Sequence, residues 1–152
     1  MVTNTASITV GRLLEVRANA GYRTASDVDQ LFDAIDREVA KLPQTQMIIT
    51  VADWRHCPVI ASAAVDRVLQ RIVALNHRTE RSVALARTDS ATAVMQFVRL
   101  IREANLPDRK MFFSPEELID WLNEVLSPSE KARLQEFLRE NEKRPAVASG
   151  GR

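Results

Sequence analysis

Two histidines and one cysteine are the softest groups in this 152-residue chain, and two of the three are adjacent, at His56 and Cys57. A His-Cys pair between a strand and a helix is where a cysteine phosphatase keeps its nucleophile, because a helix N-terminus lowers a thiol pKa. At the position where that pattern requires its arginine stands Ala63, and the next arginine is Arg67. The intervening Pro58-Val59-Ile60-Ala61-Ser62 has no glycine to let backbone amides close around an anion. Cys57 therefore reads as a small apolar filler. Metal ligation fares no better. Adjacent His56 and Cys57 rarely hold one ion, and His77, at a helix end, suits the dipole there.

Other chemistries fail on spacing. A phosphate loop needs glycine between a parallel strand and a helix. Gly11, Gly21, Gly150 and Gly151 are all misplaced for that, so neither a dinucleotide fingerprint nor a Walker loop is present. No Gly-x-Ser-x-Gly elbow exists for serine hydrolysis. Asp29, Asp33 and Asp36 share a helix face and read as solvated surface. Arg67, Arg71, Arg78, Arg81, Arg99, Arg102 and Arg109 are interleaved with acids and read the same way. No catalytic residue, metal site or cofactor is expected.

Three positions beside the strand ends remain. Arg87 closes a strand before a helix, where α/β proteins bind ligands, and Arg55 sits on the neighbouring edge. With Cys57 they form the candidate site for a small anionic ligand. Trp54, between Asp53 and Arg55, is either a loop anchor packed on the sheet edge or an aromatic facing a partner.

These residues need a scaffold, and composition bounds it. The chain is 45% hydrophobic and 27% charged, the balance of a soluble globular domain, and its length suits one domain. Twenty-one basic against twenty acidic residues leave a net charge of +1, which is no footprint for nucleic acid or an anionic membrane. One cysteine excludes an internal disulfide. The N-terminus lacks a signal pattern, and no apolar run approaches the roughly 20 residues of a membrane helix, so a cytoplasmic location is expected.

Hydrophobic periodicity supplies the elements. Ile8, Val10, Leu14 and Val16 alternate as in a strand, and Gly11-Arg12 predicts a type II′ turn that splits them into a hairpin. Val28, Leu31, Phe32, Ile35 and Val39 then fall at helical spacing, with Ser26 or Thr24 as cap. Met47–Val51 and Ser82–Ala86 read as buried strands, and Lys110–Phe113 as a short last one. A helix carrying Ala61, Val65, Val68, Leu69 and Ile72 separates the first two. One carrying Val94, Phe97, Val98 and Ile101 precedes the third, with its cap in Thr88-Asp89-Ser90. Ser114-Pro115-Glu116-Glu117 and Ser127-Pro128-Ser129-Glu130 each open a further helix with a reciprocal cap. The order β-hairpin, α, β, α, β, α, β, α, α predicts an α/β domain with a mainly parallel sheet. Helices should lie mostly on one side.

This order resembles the STAS domain of anti-sigma-factor antagonists, over about residues 6–126. The segment Ile48-Ile49-Thr50-Val51-Ala52-Asp53-Trp54 looks like that family's central strand and turn. The likeness is to its divergent group, annotated jointly with lipid-binding Sec14-type domains, and the ending Trp121–Glu130 is similar to that of bacterial proteins of this size. In antagonists a phosphorylatable serine follows an Asp at the next helix start. Ser62 stands nearest, but Ala61 precedes it and no glycine follows, so it reads as a small residue packing helix on sheet. Residues 127–141 are expected as a C-terminal helix packed on this domain or on a partner, including a second copy, and 142–152 as a disordered tail. The resemblance implies a non-enzymatic signalling module that binds a protein partner through Asp53, Trp54, Arg55 and Ser62. A small-molecule or lipid site at Arg55, Cys57 and Arg87 is the alternative.

Overall fold

Among the described residues, the alternation of β-branched segments with amphipathic ones builds a five-stranded sheet and five helices. The computed structural model describes residues 2–143. Strands β1 (Asn4–Ile8) and β2 (Leu13–Ala18) come first, then α1 (Ala25–Val39), β3 (Ile48–Asp53) and α2 (Ser62–Ala74). A 3-10 turn (Asn76–Arg78) leads into β4 (Thr79–Leu85), α3 (Ala91–Glu103), β5 (Arg109–Phe112), α4 (Pro115–Asn123) and α5 (Pro128–Glu140).

The strands lie in sequence order, β1-β2-β3-β4-β5. The first pair is the expected antiparallel hairpin, and the other pairs are parallel. Its turn has Val10 O accepting from Leu13 N–H, with a positive φ of 58° at Gly11 and none at Arg12, as a type II′ turn requires. Each crossover steps one strand in the same direction. Right-handed connections then place α1, α2 and α3 on one face. Strand alternation sends Leu14, Val16, Ala18 and Ala84 into the core beneath them.

The opposite face carries Leu13, Ile49, Val51, Val83 and Leu85. A sheet that apolar needs cover. Helices α4 and α5 supply it with Leu118, Leu122, Leu134, Phe137 and Leu138. The helices therefore divide three and two, rather than lying mostly on one side.

Helix α5 packs on the sheet of its own chain. Its apolar stripe is narrow, and polar contacts do much of the docking. Arg133 donates from Nε and Nη2 to the buried Glu15 of β2, at 2.8 and 2.7 Å. Arg17 Nη2 reaches Glu140 at 2.8 Å, and Asn19 pairs with Asn141. The expected tail at 142–152 lies outside the described residues from 144 onward.

Local signals resolve as follows. Thr24, rather than Ser26, caps α1, and Ser90 caps α3. The reciprocal cap is present at α5, where Ser127 Oγ accepts from Glu130 N–H and Glu130 Oε1 accepts from Ser127 N–H. At α4 it is not. Ser114 Oγ accepts from Glu117 N–H, but its hydroxyl donates to Glu116 instead of Glu117 reaching back. The acidic face of α1 is not simply solvated either. Arg71 of α2 donates to Asp29, Asp33 and Asp36, and Arg67 to Asp29, which rivets the two helices together.

Candidate functional site

The segment after β3 is where the sequence concentrates its candidates, and the structure turns most of them inward. Asp53 ends β3 on the α5 side and is fully buried. Its carboxylate takes the Arg55 guanidinium through Nε (3.0 Å to Oδ1) and Nη2 (2.7 Å to Oδ2), and also the Arg55 N–H at 3.1 Å. Arg55 Nη2 then donates to Leu138 O of α5 at 2.7 Å. His56, also buried, donates from Nε2 to Asn141 O at 2.8 Å, and its Nδ1 has no partner among the described residues. Asp53, Arg55 and His56 therefore hold the end of α5. They are a receptor for a segment of their own chain.

Trp54 points to the other face. It is 5% exposed, and its ring lies 4.8 Å from that of Phe97 in α3. Of the two readings of Trp54, the structure shows the anchor. The alternation of a strand explains the split: successive side chains go to opposite faces, so Asp53 and Trp54 part company. Cys57 is buried beside Tyr22, and burial pushes its thiol up to about 12. Burial likewise holds the Tyr22 hydroxyl above the ordinary phenol range. A thiol so placed is the opposite of an activated nucleophile. Gly21 allows the close approach of the β2–α1 loop, since a Cβ there would come within 2.6 Å of the Pro58 ring.

The remaining candidates do not converge. Ser62 is exposed at the first position of α2, and Ala64 is the small residue that packs on the sheet. Arg87 is exposed in the β4–α3 loop. Arg55, Cys57 and Arg87 thus fail to form one ligand site: the first is spent on Asp53 and Leu138, and the second is buried. The topology gives the reason. Ligand crevices in open α/β sheets form where strand order reverses and neighbouring helices leave on opposite faces. Around β3 and β4 the order does not reverse, and α2 and α3 leave on the same face.

What the carboxyl edge does present is a mixed surface. Pro58 and Val59 follow β3, Arg87-Thr88-Asp89 follow β4 and Phe113 follows β5, all exposed. The β3–α2 loop is locked to α3 by a two-way amide pair. Ile60 N–H donates to Gln96 Oε1 at 2.7 Å, and Gln96 Nε2 donates to Ile60 O at 2.8 Å. Val59 (46% exposed) and Met95 (72%) are each next in sequence to a residue of this lock, and Val98 (42%) is exposed farther round α3. Sequence periodicity assigns Val98 to the apolar stripe of α3 and does not single out Met95.

Among the described residues no group of three or more His, Cys, Asp or Glu is placed to hold a metal ion. No helix there is long and apolar enough to cross a membrane. The chain matches no family model, no curated protein and no solved structure.

Proposed function

We propose that this chain is a non-enzymatic regulatory module of the cytoplasm, STAS-like in plan, which binds a protein partner at the carboxyl edge of its sheet. The binding surface is Pro58, Val59 and Ser62 together with Met95 and Val98 of α3. The observation that carries this reading is the exposure of Val59 and Met95, each next in sequence to a residue of the Ile60–Gln96 lock. Large apolar side chains exposed beside a rigid loop are what an interface core is made from, and an unbranched methionine adapts to the shape it meets. The polar neighbours Arg87, Thr88 and Asp89 would form its rim. The STAS-like plan is supported by element order alone.

The test is capture from native lysate with the wild type, a Val59→Glu/Met95→Glu variant and a control altered at the exposed His77. A protein held by wild type and control but lost by the edge variant supports the reading. Equal capture by all three, or capture by none, counts against it. Trp54→Ala is unsuitable here, because it empties a core position.

A further inference from the structure

The two edges of the sheet, β1 and β5, are finished differently. At β1 the outward Ile8 N–H donates to Glu38 Oε1 at 2.8 Å, which stands a carboxylate on that edge. A charge so placed keeps other strands away. At β5 no side chain does this among the described residues. Asp108 O and Phe112 O accept from Ser82 N–H and Ala86 N–H, at 2.9 Å each, so these carbonyls face β4. Peptide groups alternate in direction along a strand. Arg109 O, Met111 N–H, Met111 O and Phe113 N–H therefore point outward, and none has a hydrogen-bond partner among the described residues.

Side chains frame this row. Phe113 is 48% exposed, and Met111 is half-buried. Helix α3 lies on one face of β5, where Met111 packs against the core. Helix α4 lies on the other, where Phe112 and Lys110 meet the Trp121 ring. Lys110, Glu116 and Glu117 are exposed, and none of the three joins an ion pair among the described residues. An edge with free groups is a template for another strand.

We propose that β5 is a dimerisation edge, pairing antiparallel with β5 of a second copy about a twofold axis at Met111 to make one continuous sheet. The free groups are self-complementary about that point. Met111 exchanges both its bonds with the partner's Met111, and Phe113 N–H donates to the partner's Arg109 O. Lys110 then stands opposite the partner's Phe112, and Arg109 opposite the partner's Phe113. An axis at Lys110 or Arg109 would set like charges face to face, which strand pairing disfavours. Charge points to a copy of this chain as the occupant. Antiparallel pairing carries the acidic start of the copy's α4 toward Lys110 and toward Arg102 in the last turn of α3. The strand is only four residues long, so α3 and α4 must add area by meeting their counterparts on the two faces. This edge is separate from the Val59–Met95 surface, and neither reading rests on the other.

The experiment is sedimentation equilibrium of the intact protein over a concentration series, with amide hydrogen exchange read by NMR on the same samples. A mass rising to twice that of the chain is expected, with protection of the Met111 and Phe113 amides that grows with the dimer fraction. Phe113→Glu alters an exposed position and should raise the dissociation constant roughly tenfold or more, as loss of an interface aromatic does. Met111→Pro removes the central donor but none of the bonds to β4, and should abolish the dimer. Circular dichroism reports whether each variant is folded. A monomer at every concentration overturns the proposal. So does a dimer whose Met111 and Phe113 amides stay unprotected, or one that a folded Phe113→Glu or Met111→Pro leaves as tight. A chain that is monomeric alone and gains protection at these amides only in complex with another protein also overturns it, and gives the edge to that protein's strand.

Discussion

Glu130 fills the space in which a side chain at Gly11 would begin. A Cβ on Gly11 would overlap Glu130 Oε2 and lie 2.9 Å from its Cδ. The reason is that Glu130 has two tasks. Oε1 accepts from Ser127 N–H in the cap of α5, while Oε2 accepts from Arg12 N–H in the hairpin turn at 2.8 Å. One carboxylate thus joins the first turn of the chain to its last helix. Gly11→Ala should strain a φ of 58° and displace that carboxylate. A loss of about 2–4 kcal/mol is expected from the backbone and cap effects together. Urea unfolding should show a lower midpoint with unchanged slope. A loss below about 1 kcal/mol would show that Glu130 moves aside freely.

The Arg133–Glu15 pair gives the second prediction. Glu15 is 3% exposed in β2, and Arg133 is its only side-chain partner among the described residues. Arg133→Met should cost about 3–5 kcal/mol, because it strands a buried charge. Glu15→Leu combined with Arg133→Met should recover most of that loss, since packed apolar groups replace such pairs well. A double-mutant cycle by chemical denaturation measures both. If the double variant were as unstable as Arg133→Met alone, something other than the stranded carboxylate would be responsible.

For Trp54 the expectation concerns stability. Truncating a buried aromatic ring costs about 3–5 kcal/mol. Trp54→Ala should fall in that range and remove the tertiary signal of the Trp54–Phe97 contact from near-ultraviolet circular dichroism. Val59→Glu/Met95→Glu should stay within about 1 kcal/mol of wild type, as exposed positions do. Similar losses in both variants would mean that the edge surface is part of the core.

The pH dependence follows from Cys57. Its folded thiol is raised from 9.0 to about 12 by burial. Between those values the unfolded chain has lost a proton that the folded chain keeps. This contribution to stability is therefore complete below pH 9 and declines as pH rises through the folded value. Cys57→Ala should show a shallower alkaline decline than wild type. In the native protein at pH 8, iodoacetamide should label Cys57 only at the rate of opening. Fast labelling would contradict the buried placement.

Much of the fold is legible along the chain. The hairpin follows from Gly11 between alternating runs, and the helices from spacings such as Val28, Leu31, Phe32 and Ile35. Ser127 could be named as a cap, and that of α3 could be narrowed to Thr88–Ser90, because capping is settled within a few residues. Less of the candidate site was legible. Asp53 and Arg55 read as free edge groups, since nothing nearby shows that Leu138 O lies over them. The lone acid Glu15 in an apolar strand was the available signal for the α5 clamp.

What the sequence determined by itself was periodicity, turn chemistry and capping, because those depend on neighbours a few bonds or one helical turn apart. It also determined which catalytic patterns are missing from the chain. Only the tertiary structure decided which face each edge residue meets, that α5 closes on its own sheet, and that Arg55 is held by Asp53 beneath it. Those outcomes depend on contacts such as Arg133 with Glu15, 118 residues apart. Burial and charge pairing at that separation are set by how the layers pack, and local spacing carries no record of it.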